Sequence, residues 1–465
     1  MRTLARWLLA PVAAAALSAC SMIPTLERPA APVPASFGYA SATQGGGGRG
    51  LAWQDFFTDA RLRQLIETAL RNNRDLRVAV LNIEQARSQF DIRGAERLPA
   101  VGVSDAGNPA RANNDEFNTT YTAGLLVSAW EIDFFGRLAS LTEAARAQLL
   151  ATEEARKATQ VSLVASVGTA WLNLVADEEL LALTRQTLST RDESLRLVRL
   201  RFENGASSEL DLRQAESLAE TARVSLAQLQ RQRALDLNTL GLLLGEPLPT
   251  DFSAATSTAA VQLPDVPAGL PSEVLVQRPD VRQAEQQLVA ANANIGAARA
   301  AFFPRITLTA GVGTASGELS GLFKSGTWGF TAAPSLLLPI FDAGRNQAGL
   351  RGAEVGREVA VAQYERAIQV AFREVADALA GRTLLTEQLT AQRRVAEAEA
   401  VRLRLSQMRY DAGVASSLDF LDAQRSLFSA RQAEIQARLA SLQNQVALYR
   451  ALGGGWGTAS QASSR

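Results

Sequence analysis

Few side chains in this sequence could act on a substrate. There is no His and only one Cys among 465 residues. This removes the usual general base and excludes an intrachain disulfide or a multi-cysteine metal site. Two sets of reactive or associating groups remain. One is the thiol of Cys20, which closes the run Leu17-Ser18-Ala19-Cys20. The other occurs twice: Arg201, Gly205, Ser208, Leu210 and Asp211 return as Arg409, Gly413, Ser416, Leu418 and Asp419. Arg201, Asp211, Arg409 and Asp419 could form ion pairs between neighbouring copies of this stretch, and the serines could cap helices. Gly45 to Gly48 is a glycine run, but no Gly-Lys-Ser/Thr follows, so a phosphate loop is unsupported. With no metal spacing and no nucleophile elbow, the pattern offers attachment and association rather than catalysis, and it calls for no cofactor.

The two copies lie at a constant shift of 208 residues. The register continues downstream to Gly245 and Gly453 and upstream to Gly136-Arg137 and Gly344-Arg345. Before that the shift is 205, with Asp75 matching Asp280 and Pro99 matching Pro304. The chain is therefore one long unit used twice.

The elements that carry the repeated stretch are helices. Leu174, Leu181, Leu188, Leu195 and Phe202 are spaced by seven, as are Leu389, Ala396, Leu403 and Tyr410. Leu421, Phe428, Ile435, Leu442 and Tyr449 do the same on the way out. A seven-residue apolar seam predicts coiled helices. Gly205 and Gly413 stand where such a helix must end, since glycine accepts the left-handed conformation, and Ser208 and Ser416 can open the returning helix. Each copy thus predicts a helical hairpin, with tips near 203–209 and 411–417. The ingoing arm from Leu138 is about 65 residues, or ~95 Å as a helix.

Residues 1–19 carry Arg2 and Arg6 before an apolar run too short to span a bilayer, which reads as a signal peptide. The ending at Cys20 looks like a lipobox, with Cys20 the lipidated first residue of the mature chain and Ser21 favouring the outer membrane. Residues 20–50, rich in Pro, Ala, Ser and Gly, read as a tether. Residues 51–245 form the first repeat, with a helix from Trp53 to Gln89 and two strands within about 100–134. Residues 246–270 form a proline-rich linker. Residues 271–453 form the second repeat, with a helix from Ser272 to Ala301 and strands within about 305–342. Residues 454–465 read as a disordered tail. In the second pair Ile306, Leu308, Ala310 and Val312 alternate with Thr307, Thr309, Gly311 and Gly313. That alternation is expected of a membrane barrel strand. Four strands cannot close a barrel, and open edges cannot sit in lipid. Oligomerisation follows, and three chains would give twelve strands and room for a channel. Acids balance bases, so nothing points to nucleic acid.

Several stretches together resemble the TolC-like outer-membrane efflux channels, in particular the lipidated OprM/NodT-type branch. They are Trp53, Phe56, Phe57, Asp59 and Leu62; Arg278-Pro279-Asp280-Val281 through Phe302-Phe303-Pro304; Phe341-Asp342-Ala343-Gly344-Arg345; and Leu448-Tyr449-Arg450 through Gly455-Trp456. The resemblance covers nearly all of the mature chain. It implies an α+β membrane protein, a homotrimer whose twelve-stranded β-barrel sits in the outer membrane above a coiled α-barrel. It implies a passive exit duct for drugs or other small molecules. An inner-membrane pump of the RND class would deliver these through a periplasmic adaptor. The tips, at Gly205, Ser208 and Leu210 and at Gly413, Ser416 and Leu418, would meet that adaptor. Leu418 and Asp422 match the apolar and acidic rings of the periplasmic gate, and three Asp422 carboxylates around an axis would raise one another's pKa. Gln214 stands in the first tip where Asp422 stands in the second. A type I secretion duct and a non-conducting, lipid-anchored coiled-coil tether are the alternatives. The tether reading leaves the paired strands unexplained.

Overall fold

A computed structural model describes residues 22–37, 51–111, 117–248, 252, 257–265, 275–276 and 278–454. The leader, Cys20, the glycine run, most of the linker and residues 455–465 lie outside the described residues.

The duplication is explicit in the elements. The first half runs α1 (Trp53–Phe56), α2 (Ala60–Asn72), α3 (Arg74–Ala95), β1 (Val101–Arg111), β2 (Phe117–Glu131), α4 (Arg137–Glu203) and α5 (Glu209–Leu244). The second runs α6 (Pro279–Ala300), β3 (Arg305–Ser316), β4 (Trp328–Leu337), α7 (Arg345–Asp411) and α8 (Ser417–Ala451). The long arms α4 and α7 are each 67 residues, roughly 100 Å of helix.

Two boundaries differ from expectation. The helix expected from Trp53 to Gln89 is three helices. The Asp59 carboxylate accepts from Arg61 N at 2.8 Å and Leu62 N at 2.9 Å, starting α2 afresh. Asn73 Oδ1 accepts from Leu76 N at 2.9 Å and starts α3. Apolar periodicity continues across both breaks and so hides them. The helix expected from Ser272 begins instead at Pro279. Proline suits the first helical position and disfavours helix in the residue before it.

The chain divides into two compact units. One collects the described residues of Met1–Ala31 with Val80–Glu154 and Arg282–Ala367. Its sheet is antiparallel in the order β1-β2-β3-β4. The register places Val101, Val103, Leu125, Val127, Ala310, Val312, Phe330 and Ala332 on one face. Val103 is 84% and Phe330 85% exposed. The other face presents Ser104, Ala106, Thr122, Gly124, Gly311, Gly313, Gly329 and Thr331, with Leu126 the large apolar exception in that row. One apolar face in phase across four strands, backed by a small and polar one, is the two-sidedness of a membrane barrel. Gly124 faces Gly313 across the ladder, and a Cβ on Gly124 would lie 2.4 Å from the Val312 carbonyl. β1 and β4 are both edges, and Pro109 stands in β1, where a ladder donor can be spared. A bulge between Val127 and Trp130 leaves Ala129 at φ +48°.

At the base of the sheet Glu131 pairs with Arg137 at 2.8 Å and with Arg305 at 2.7 Å, and Phe135 stacks on Phe303. In the same unit the N-terminal segment lies on α6. Asn292 Nδ2 donates to the Pro24 carbonyl at 2.7 Å and Arg28 pairs with Glu285.

The second unit collects Pro32–Ala79, Ala155–Val281 and Ile368–Arg465. Its core includes Trp171, Leu172, Leu174, Phe56 and Phe57, all nearly inaccessible. Phe56 stacks on Tyr449 at 4.0 Å, and the Tyr449 hydroxyl donates to the Leu51 carbonyl at 2.7 Å. Much of the most apolar window of α4 is buried in the fold, as in a core helix. Arg278 lies at the centre of a second knot. It donates to Asp280 at 2.7 Å, to Glu374 at 2.8 Å and to the Ala451 carbonyl at 2.7 Å, tying the end of α8 to α6 and α7.

Candidate functional site

Both hairpin tips are built by the expected turn chemistry. Gly205 and Gly413 each adopt φ +71° with open space around the missing Cβ. Ser208 Oγ accepts from Asp211 N at 3.1 Å, and the Asp211 carboxylate accepts from Ser208 N at 3.2 Å, a reciprocal cap. Ser416 caps α8 through Asp419 N at 3.3 Å. Leu210 and Leu418 point outward, 67% and 56% exposed.

The two tips of one chain meet each other. Arg201 Nη1 donates to the Tyr410 hydroxyl at 2.6 Å, with its guanidinium 5.3 Å from the ring centroid. Tyr410 in turn stacks on Phe420 at 5.4 Å. Ser417 Oγ donates to the Asp211 carboxylate. That bond, followed by those from Ser208, holds the Asp211 carboxyl below the usual aspartate range.

The expected ion pairs among Arg201, Asp211, Arg409 and Asp419 are not made within the chain. Arg201 takes a phenol instead. The Asp211 carboxylate closes the reciprocal cap, whereas Asp419 lends the cap its backbone N–H and accepts one bond, from the Ser416 hydroxyl at 3.1 Å. The Arg409 carbonyl closes the turn by accepting from Val414 N at 2.9 Å. The guanidinium of Arg409 and the carboxylate of Asp419 have no charged partner among the described residues.

Asp422 also differs from expectation. It accepts from Arg402 Nη2 at 2.6 Å across the hairpin and pairs with Arg425 one turn along α8. The Arg402 hydrogen bond, with the nearby Arg425 charge, holds the carboxyl low, not high. A raised pKa would need three carboxylates meeting without cations. Within one chain the carboxylate is already matched to two guanidinium groups. Leu418 and Asp422 do share one face of α8, one turn apart.

Arg402, Tyr410, Ser417 and Arg425 are tip residues that motif reasoning missed. A signal for Arg402 exists in the sequence. Reflecting the chain about the turn at Ala412 sets position 402 opposite 422, and Arg opposite Asp across an antiparallel hairpin is a pair. Tyr410 was visible only as a seam residue.

Residues 65–246 and 270–454 match a family model described as outer membrane efflux protein. The toluene efflux pump outer membrane protein TtgC of Pseudomonas putida is 46% identical over 464 residues, covering 96% of this chain and 94% of that protein. The outer membrane protein OprJ of Pseudomonas aeruginosa is 46% identical over 455 residues, covering 95% and 94%. Among solved structures, the open state of the Neisseria gonorrhoeae MtrE outer membrane channel matches with a TM-score of 0.86 at 40% identity, covering 94% of this chain and 99% of that one.

Proposed function

The chain belongs to the outer membrane efflux protein family, and from that premise we propose that it is the outer-membrane exit duct of a tripartite efflux assembly. Small molecules, drugs or solvents among them, leave through it passively. An inner-membrane pump, of the RND class in this reading, supplies the energy through a periplasmic adaptor. The observation that carries the proposal is the four-stranded sheet. Its apolar face runs across all four strands, and neither of its edges is paired among the described residues. Lipid tolerates no open edge, so β1 and β4 must pair with other copies. Three copies give twelve strands, wide enough to conduct.

In this reading Cys20 is lipidated and anchors the chain in the outer membrane. The tips at Gly205, Ser208, Leu210, Gly413, Ser416 and Leu418 receive the adaptor. Leu418 forms the apolar constriction, and Asp422 with Arg402 stiffens the hairpin that carries it. Arg409 and Asp419 are free to pair between chains and bias the closed state, as Arg201 and Asp211 are not. Opening then needs an adaptor that binds the open tips better than the closed ones, by a few kcal/mol.

Single-channel conductance of the purified protein in a planar bilayer tests this, beside Leu418→Ala/Asp422→Ala. Small steps that enlarge in the double variant are expected. Equal steps in both proteins would keep the duct and discard the gate. A folded barrel that gives no steps would favour the non-conducting tether.

A further inference from the structure

We propose that the helical coil behind the tips binds a small monovalent inorganic anion of the chloride class, held between α4 and α8 by Arg191 with Arg431. A cavity of 230 Å³ opens there, lined by Thr187, Thr190, Arg191, Gln424, Phe428 and Arg431 among others. Two of its polar residues are guanidinium groups and none is a carboxylate.

Arg191 is the unusual member. It is 3% exposed. Its Nη1 donates to the Leu218 carbonyl on α5 at 2.9 Å, and its face lies 5.1 Å from the Phe428 centroid. Its Nε is buried with no acceptor among the described residues. A guanidinium has five N–H donors, and among the described residues one hydrogen bond, from Nη1, is made. Burial alone, with no acid to oppose it, pulls its pKa down. Of the acids in neighbouring turns, Glu193 is exposed and the others are committed. Asp192 pairs with Arg223 at 2.7 Å, Asp422 with Arg402, and Glu434 with Arg438.

Gln424 is the second unmatched group, 7% exposed with a buried carbonyl oxygen lacking a partner. A half-turn of its amide would present the NH₂ to the cavity instead, and the two orientations have the same shape. Arg431 reaches the cavity from its exposed rim and has no charged partner among the described residues. One buried cation, an amide donor and a second cation at the mouth make a site for one negative charge. Desolvation disfavours an isolated buried charge and is relieved by a counter-charge. The thiolate and imidazole ligands of transition metals are missing from the lining, and two arginines repel any cation.

An anion here would bridge helices from both hairpins: α4, and through Arg191 α5, to α8. The site goes beyond the duct reading and does not depend on it. Crystals of the full chain soaked in sodium bromide test it by anomalous scattering. A bromide peak within hydrogen-bonding distance of the Arg191 guanidinium is expected, and its loss in Arg191→Met. In solution, thermal stability at fixed ionic strength should rise when chloride or bromide replaces gluconate, whose flexible six-carbon chain must be ordered and desolvated to enter. Arg431→Gln sits at an exposed position and keeps the fold. It should raise the bromide concentration for half-maximal stabilisation roughly three-fold, the effect of one partly exposed charge. A wild-type cavity without a bromide peak, or equal stability in bromide and gluconate, would overturn the site. Identical bromide titrations of wild type and Arg431→Gln would remove Arg431 from it.

Discussion

Arg278 concentrates more of the second unit's order than any residue at the tips. Its buried guanidinium joins Asp280, Glu374 and the last carbonyl of α8. Burial alone would lower its pKa, but Asp280 and Glu374 more than offset this and hold it above the ordinary arginine value. Arg278→Met leaves the Ala451 carbonyl and Asp280 without this donor and Glu374 with Arg450 alone at 3.7 Å, and should cost roughly 1–3 kcal/mol. Denaturant midpoints of the purified variant would show it, and an unchanged midpoint would refute the role. Asp177 makes a second prediction at this scale. Burial, and then the facing Asp236 carboxyl with Glu178 beyond it, push its pKa up to about 7, with Arg233 opposing. The folded state then holds a proton that the unfolded chain releases near the ordinary aspartate value of about 3.9. The stabilisation is full below that value and is lost as pH rises through about 7. Stability should fall across that interval, and Asp236→Asn should flatten the slope.

Among elements, the hairpins were legible and their partners were not. Glycine and serine announce a turn locally, so Gly205, Ser208, Gly413 and Ser416 could be placed from sequence. The heptad spacing likewise fixed the arms. The bonds that hold one tip against the other join residues some two hundred positions apart, Arg201 to Tyr410 and Ser417 to Asp211. No local pattern encodes that. The breaks at Asp59 and Asn73 were obscured for the opposite reason, since the apolar period runs on while side-chain caps restart the helix. In the sheet, alternation revealed the strands, but only the register reveals that their apolar faces coincide. That register depends on Gly124 and Gly313. Gly124→Val should prevent β2 from pairing with β3, because its Cβ would meet backbone at 2.4 Å. Loss of the protease-resistant, heat-modifiable barrel would report this. A barrel that assembles normally would show that the strands can separate at little cost.

For the molecule as a whole, the duplication sets a constraint on length. The arms α4 and α7 match residue for residue, and their tips are bonded to each other. Adding one heptad to each arm of the second hairpin, α7 and α8, would carry its tip about 10 Å past its neighbour. Arg201 would then lose Tyr410, and Asp211 would lose Ser417. Such a chain should fold its barrel yet show ragged tips, detectable as protease cleavage near Gly413. The same heptad added to all four arms, α4, α5, α7 and α8, should leave the tips resistant. Changes of reach in this lineage are therefore expected to arrive as matched insertions in every arm of both hairpins: separate edits in one gene, each harmful until the others are made.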